Sequence, residues 1–272
     1  NDAHLHIRRV DVAPGTVPPP VQFEVHGLTG GAADYAARIN DLLVRYQQAR
    51  RDGALGQQTI PDFTLRPEQM AAFRNFLINP TGGMEALTSF GKTDVMLHLF
   101  ALAGLAYGHA KSVVVVSDVG KLSEAYSQAS QQVYELLGVR TASLSNLNDL
   151  ATDPNLAAKL AGADVIFTHS SVMGFMKDAA RTPNTPAHAV WGFMTHNAQI
   201  VQDEIHTIYG QNYIRGLGQD LKLPDPVINA IAGRPDQLAH TGLAGFFESQ
   251  TDNLLALTWA QSHSAEMKQF NM

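Results

Sequence analysis

The sequence predicts an α/β fold with a mostly parallel sheet held between layers of helices. Three observations predict it. Between residues 84 and 202, short apolar stretches alternate with segments of helical periodicity, the order that builds strand–helix–strand units. Ser112-Val113-Val114-Val115-Val116 is a nearly continuous β-branched run, as expected of a strand covered on both faces. The groups with most chemical potential, Gly91-Lys92-Thr93 and Asp203-Glu204, each follow an apolar strand, and the carboxyl edge of a parallel sheet is where ligands bind.

Composition bounds the answer. The chain has 272 residues, 45% of them apolar and 16% charged, enough for a sizeable core in one large domain or two small ones. A net charge of -6 argues against a surface that is basic all round, while leaving room for a local basic groove. The absence of cysteine excludes disulfides, thiolate metal sites and cysteine nucleophiles. The longest mostly apolar stretch, residues 95–107, is too short to span a bilayer and contains His98, so no membrane span is expected. Nothing resembles a signal peptide, and a cytoplasmic location is the expectation. The chain starts at Asn1 and reads as a piece of a longer protein.

Taken in order, residues 1–32 mix short apolar runs with Pro and Gly and read as the end of something upstream plus a linker, so that a helical and extended segment precedes the α/β domain. Residues 33–51 form an amphipathic helix with Ile39, Leu42, Leu43 and Tyr46 on one face, ended by Gly53. After a loop to Phe63, residues 84–87 are a strand and 92–107 a helix. A strand follows at 112–116. Ser117 or Asp118 then caps a helix in which Leu122, Tyr126, Ala129, Val133 and Leu137 recur at helical spacing up to Gly138. Further strands are expected at 139–144, 164–168 and 199–202. Beyond Tyr209, repeated Gly and Pro break the chain; 237–243 reads as one more strand and 253–270 as a helix.

Ala86-Leu87-Thr88-Ser89-Phe90-Gly91-Lys92-Thr93 lies between a strand and a helix. A loop feeding a helix N-terminus turns several backbone N–H groups toward one point, and the helix dipole adds positive charge there, so the segment suits phosphate. Thr88, Ser89, Phe90 and Gly91 supply the loop. Lys92 suits the β- and γ-phosphates of ATP, and the Thr93 hydroxyl suits Mg2+. Gln199-Ile200-Val201-Gln202-Asp203-Glu204-Ile205-His206 is an apolar strand ending in two carboxylates and a histidine. Asp203 would hold magnesium through water, because that ion prefers hard oxygen ligands. Glu204 would orient or deprotonate the attacking water, and His206 would contact the γ-phosphate region. Lys92 and Asp203 are 111 residues apart, with three candidate strands between them, about what one nucleotide-binding α/β domain needs.

These motifs resemble those of superfamily 2 helicases and translocases of the DEAD/DEAH type. Leu65-Arg66-Pro67-Glu68-Gln69 resembles their adenine-reading Q motif, residues 86–93 their motif I, and Asp203-Glu204-Ile205-His206 their DExH motif II. Ala86 stands where the general phosphate-loop pattern has its first glycine, as is common in that superfamily. Order and spacing match over about residues 61–210. The resemblance implies a RecA-like P-loop three-layer α/β/α domain that binds and hydrolyses ATP. It also implies that Gln69 hydrogen-bonds the adenine edge, supported by Arg66. The implied organisation is an N-terminal linker and helical extension (1–60), the RecA-like motor domain (61–210), and its remainder or the start of another domain (211–272).

Within the superfamily, residues 112–118, 134–139 and 163–168, with Gly174-Phe175 and Arg181, look most like the protein-export motor SecA; Asp-Glu-Ile-His stands where SecA usually has Asp-Glu-Val-Asp. The implied track is a polymer, either single-stranded nucleic acid or unfolded polypeptide. Residues 61–210 carry 9 Lys/Arg against 13 Asp/Glu, which gives a nucleic-acid track no support. Only 66 residues follow His206, too few for the second RecA-like domain that supplies an arginine finger. Weak turnover is therefore expected of this chain, and a degenerate nucleotide-binding scaffold is the alternative. The eleven histidines include no His-x-x-x-His pair with a third ligand, so they read as structural or surface groups. Thr168, His169, Ser170 and Ser171 lack the turn of a nucleophile elbow and read as loop polar residues.

Overall fold

The computed structural model describes residues 4–7, 13–53, 60–78, 84, 90–203, 226 and 254–256. An antiparallel pair, β1 (His4–Ile7) with β2 (Phe23–His26), stands in the N-terminal stretch that the sequence read as a linker with extended character. The reason is visible in β2: Phe23 is buried, and Val25 packs against the same core. Helix α1 (Gly31–Asp52) follows, and its buried face carries Ile39, Leu43 and Tyr46 as expected. Next comes α2 (Pro67–Ile78), started by a proline where the missing N–H costs nothing.

The remaining strands, β3 (Lys111–Val116), β4 (Thr141–Leu144), β5 (Val165–His169), β6 (Ala198–Gln202) and β7 (Leu254–Ala256), form one parallel sheet in the order β4-β5-β3-β6-β7. Side chains alternate across it. Val114, Val116, Val165, Phe167 and Val201 face one core, shared with α1, α2, α3 (Leu97–Tyr107), α4 (Val119–Ala125) and α5 (Gln128–Leu136). Val113, Val115, Ile166 and Ile200 face the other. That second core is closed by α6 (Asp149–Thr152), α7 (Leu156–Gly162), α8 (Ser170–Ala179) and α9 (Pro186–Thr195). The result is the expected α/β/α arrangement. No described helix is long and apolar enough to cross a membrane.

Three expectations need correcting. The helix expected from residue 118 to 138 is two helices, because the Ser127 hydroxyl accepts from Ser130 N and caps a new start after Tyr126. The strand expected from 139 begins at Thr141: Gly138 is left-handed (φ 72), and Val139 N returns to Tyr134 O, closing α5. Leu254–Ala256 is strand where a helix was expected, in register with Ile200, Val201 and Gln202. Leu-Leu-Ala favours helix locally, but the flank of buried β6 needs backbone partners, and tertiary pairing overrides propensity. Residues 85–87, 237–243 and 257–270, for which a strand, a strand and a helix were expected, lie outside the described residues; Met84 is not strand.

Helix α3 sets the height of everything above the sheet. Residues 97–104 are all buried, since the sheet lies below them and α1 and α2 above. Gly104 makes this close approach possible: a β-carbon there would stand 2.6 Å from Gln199 Cβ and 2.9 Å from the Ser112 hydroxyl. The small residue lets α3 settle onto β3 and β6, which aims its N-terminal extension at the carboxyl end of β6.

Candidate functional site

That extension is a π-helical turn, Lys92–Met96, continuous with α3. Gly91 begins it in the left-handed region (φ 86, ψ 35), and its carbonyl accepts from both Val95 N and Met96 N at 3.0 Å. Glycine is required twice over: L side chains avoid that φ, and a β-carbon would fall 2.9 Å from Gln69 Nε2. No side chain caps the turn. The sequence predicted a helix from Lys92 but not its wider first turn, a form that often marks functional sites.

Lys92 and Thr93 stand half-buried in this turn. Asp203, the residue after β6, is buried at 1% exposure, and its N–H donates to Val115 O at 2.8 Å, extending the ladder by one bond. The Thr93 hydroxyl donates to Asp203 Oδ2 at 3.1 Å. Two residues that the sequence nominated for one metal ion, 110 positions apart, are thus in contact. One carboxylate and one hydroxyl are hard oxygen donors. Magnesium takes few protein ligands and leaves its other positions to phosphate and water, so this pair fits it. Among the described residues no three His, Cys, Asp or Glu gather.

Beside the turn lies the base-reading candidate. Gln69, 5% exposed, donates from Nε2 to Phe90 O at 2.9 Å and accepts from Arg66 N at 3.0 Å. Arg66 donates to the same carbonyl at 2.5 Å, stands 5.8 Å over the Phe90 ring and pairs with Glu68 at 3.6 Å. Two of the four hydrogen-bonding valences of the Gln69 amide are therefore used, one donor on Phe90 O beside Gly91 and one acceptor on Arg66 N, and one donor and one acceptor remain for a ligand edge. The structure brings Arg66, Gln69, Phe90, Gly91, Lys92, Thr93 and Asp203 to one end of the sheet. Thr88, Ser89, Glu204 and His206 lie outside the described residues.

The other polar residues singled out in the sequence, expected in a loop, instead end β5 (Thr168, His169) and begin α8 (Ser170, Ser171), and three of them are engaged with backbone. Thr168 Oγ1 donates to Leu144 O, His169 Nε2 is 2.8 Å from Ser145 O, and Ser170 Oγ donates to Val116 O. His98, one turn beyond Thr93, is buried with Nδ1 2.9 Å from the Tyr134 hydroxyl. Burial, helped by the nearby Arg50 charge, pushes its pKa down to about 3, and burial holds the Tyr134 phenol well above its usual range. Both groups are neutral at neutral pH and act as structure.

Sequence reasoning missed Gln47. It is wholly buried on α1 and accepts from Leu65 N, directly before Arg66. One signal was available: an amide on the helix face that carries Ile39, Leu43 and Tyr46 has to find partners when buried.

No family model matches the chain, and no curated protein matches it. Among solved structures it is similar to the DUF1998 helicase MrfA, with TM-score 0.49 and 14% identity over 86% of this chain and 30% of that one. It is also similar to the same helicase bound to DNA (0.46, 16%, 79% and 29%) and to T. fusca Cas3-ATP (0.41, 13%, 84% and 27%). The chain spans less than a third of the length of each. Identities and scores this low leave the chemistry to be read from the residues themselves.

Proposed function

We propose that this chain is the ATP-binding first motor domain of a superfamily 2 helicase or translocase. The reading rests on one observation above the rest: Thr93 and Asp203 meet at 3.1 Å at the carboxyl end of a parallel sheet. Within it, Lys92 carries the charge for the β- and γ-phosphates, and the uncapped N-terminus of the Lys92–Met96 turn offers backbone N–H groups to them. Thr93 and Asp203 hold Mg2+, which when bound neutralises charge developing on the phosphate oxygens. Gln69 reads adenine, and Arg66 fixes the turn that presents it. Glu204 orients the attacking water, and His206 reaches toward the γ-phosphate. The reading places the arginine finger that speeds turnover on a second RecA-like domain.

Titration calorimetry with Mg-ATP tests the site. The wild type should bind, and Lys92→Ala should weaken binding roughly ten- to a hundredfold, the scale of a charge-assisted hydrogen bond. Asp203→Asn should weaken Mg-ATP more than metal-free ATP. A wild type with no nucleotide affinity, or a Lys92→Ala variant that binds as well as wild type, would defeat the reading. Binding with no turnover even beside a second motor domain would select the scaffold alternative.

A second reading concerns the track. The acidic balance of residues 61–210, 9 basic against 13 acidic side chains, gives a nucleic-acid track no support, and a SecA-like unfolded-polypeptide cargo is the alternative. Filter binding with single-stranded RNA or DNA, set against an unfolded polypeptide, separates the two.

A further inference from the structure

We propose that α1, which lies outside the stretch carrying the motifs, is a working part of the nucleotide site. In this proposal Gln47 and Arg51 are positioning residues for base selection. The inference rests on the site reading above and goes beyond it by naming what holds the base-reading turn in place.

Each end of the Gln47 amide is used more than once. Nε2 donates to Val21 O at 2.8 Å and to Leu43 O at 2.9 Å. Oε1 accepts from Val21 N at 3.0 Å, Leu65 N at 3.2 Å and Thr64 Oγ1 at 3.3 Å. One turn on, Arg51 donates from Nε to Phe63 O at 2.7 Å and from NH2 to Pro18 O at 2.7 Å. Between them, Phe63 is held edge-on by Tyr46 (6.1 Å) and under the Arg50 guanidinium (5.1 Å). Every residue from Phe63 to Leu65 is thus tied to α1. The next residue is Arg66, whose N–H binds Gln69 and whose guanidinium, with the Gln69 amide, grips Phe90 O beside Gly91.

The same helix reaches the phosphate turn. Tyr46 OH (3.5 Å) and Arg50 NH1 (3.4 Å) both point donors at Asp94 O, inside the Lys92–Met96 turn. Four α1 residues within one and a half turns therefore connect the two halves of the site. A buried amide that already spans two chain segments has no slack, so removing it frees the 63–65 segment and with it the tilt of the Gln69 carboxamide.

Asn40 supplies an internal control. It pairs with Phe23 through both ends of its amide, at 2.9 and 3.1 Å, as Gln47 pairs with Val21, and among the described residues it makes no hydrogen bond to residues 63–66. Loss of either amide strips buried backbone groups of partners and costs stability, but only the Gln47 change should alter base selection.

The test measures affinities of the whole chain for Mg-ATP, Mg-GTP and Mg-tripolyphosphate by calorimetry, in wild type, Gln47→Met, Arg51→Met and Asn40→Ala. The wild type should prefer ATP over GTP. Gln47→Met and Arg51→Met should lower that preference about tenfold, the worth of a single well-placed hydrogen bond, with tripolyphosphate affinity unchanged. Asn40→Ala should lower the melting temperature and keep the preference. Because Gln47→Met threatens folding, the more peripheral Arg51→Met carries the test if the first is insoluble. Variants that retain wild-type preference, or lose ATP, GTP and tripolyphosphate affinity in parallel, overturn the brace while the site stands. A wild type that binds none of the three ligands overturns the site and the inference together.

Discussion

The two faces of the sheet are built from different materials. The buried members of the core under α6–α9 are aliphatic residues and methionines, such as Val113, Ile166, Met176, Val190 and Met194. The core under α1–α5 has its rings at the centre: Phe73 against Phe76 and Phe100, and Tyr134 and Tyr126 against Phe167. Threaded among them are the buried polar groups Gln47, Gln69, His98 and Asp203. Apolar packing is non-directional and fixes volume; hydrogen bonds fix orientation. The comparison teaches that one face supports the sheet and the other places atoms, and the candidate site sits on the second.

Breaking the aliphatic face should cost stability alone. Met176→Ala removes a fully buried side chain from α8 and should destabilise by about 2–5 kcal/mol, read from the denaturation midpoint. Nucleotide affinity of the remaining folded protein should stay at the wild-type value. If Met176→Ala weakened Mg-ATP binding as well, the division between the faces would be false. Gly104→Ala sharpens it from the other side. The added methyl meets Gln199 Cβ at 2.6 Å, so α3 has to lift, at about 1–3 kcal/mol. Lifting α3 also pulls Thr93 from Asp203, so Mg-ATP affinity should fall here, in contrast to Met176→Ala, even if the loss of stability is the smaller of the two.

The aliphatic face was also the easier one to read from sequence. The 112–116 run, the 164–168 strand and the 199–202 strand come from local pattern, because a strand buried on both sides shows a mostly apolar run in a short window. The contact of Thr93 with Asp203 was legible because a phosphate loop and an acidic strand end are local motifs whose meeting follows from the parallel topology. Gln47 and Arg51 were not, since their meaning lies in partners 18 and 12 positions away. The break at Ser127 was hidden inside a helical apolar repeat that continues unbroken through it. The strand at Leu254–Ala256 follows from the open flank of β6, which no local window contains.

The polar face should also betray itself through pH, by the smallest of the expected effects over any one pH unit. His98 is buried with its pKa lowered to about 3, against 6.5 in the unfolded chain. Above pH 6.5 the ring is neutral in both states and costs nothing. As pH falls below 6.5 the unfolded chain takes up a proton that the folded protein refuses. Stability therefore declines by about 1.4 kcal/mol per pH unit until the folded ring itself titrates. In His98→Leu the Tyr134 hydroxyl loses its partner at every pH, so that variant should be less stable at pH 7, yet its stability should fall less steeply between pH 6.5 and 5. Denaturant midpoints of the two proteins at pH 7, 6 and 5 decide the matter. Parallel curves would mean that His98 is solvated in the folded state, and the ring-lined face would then be looser than the aliphatic one.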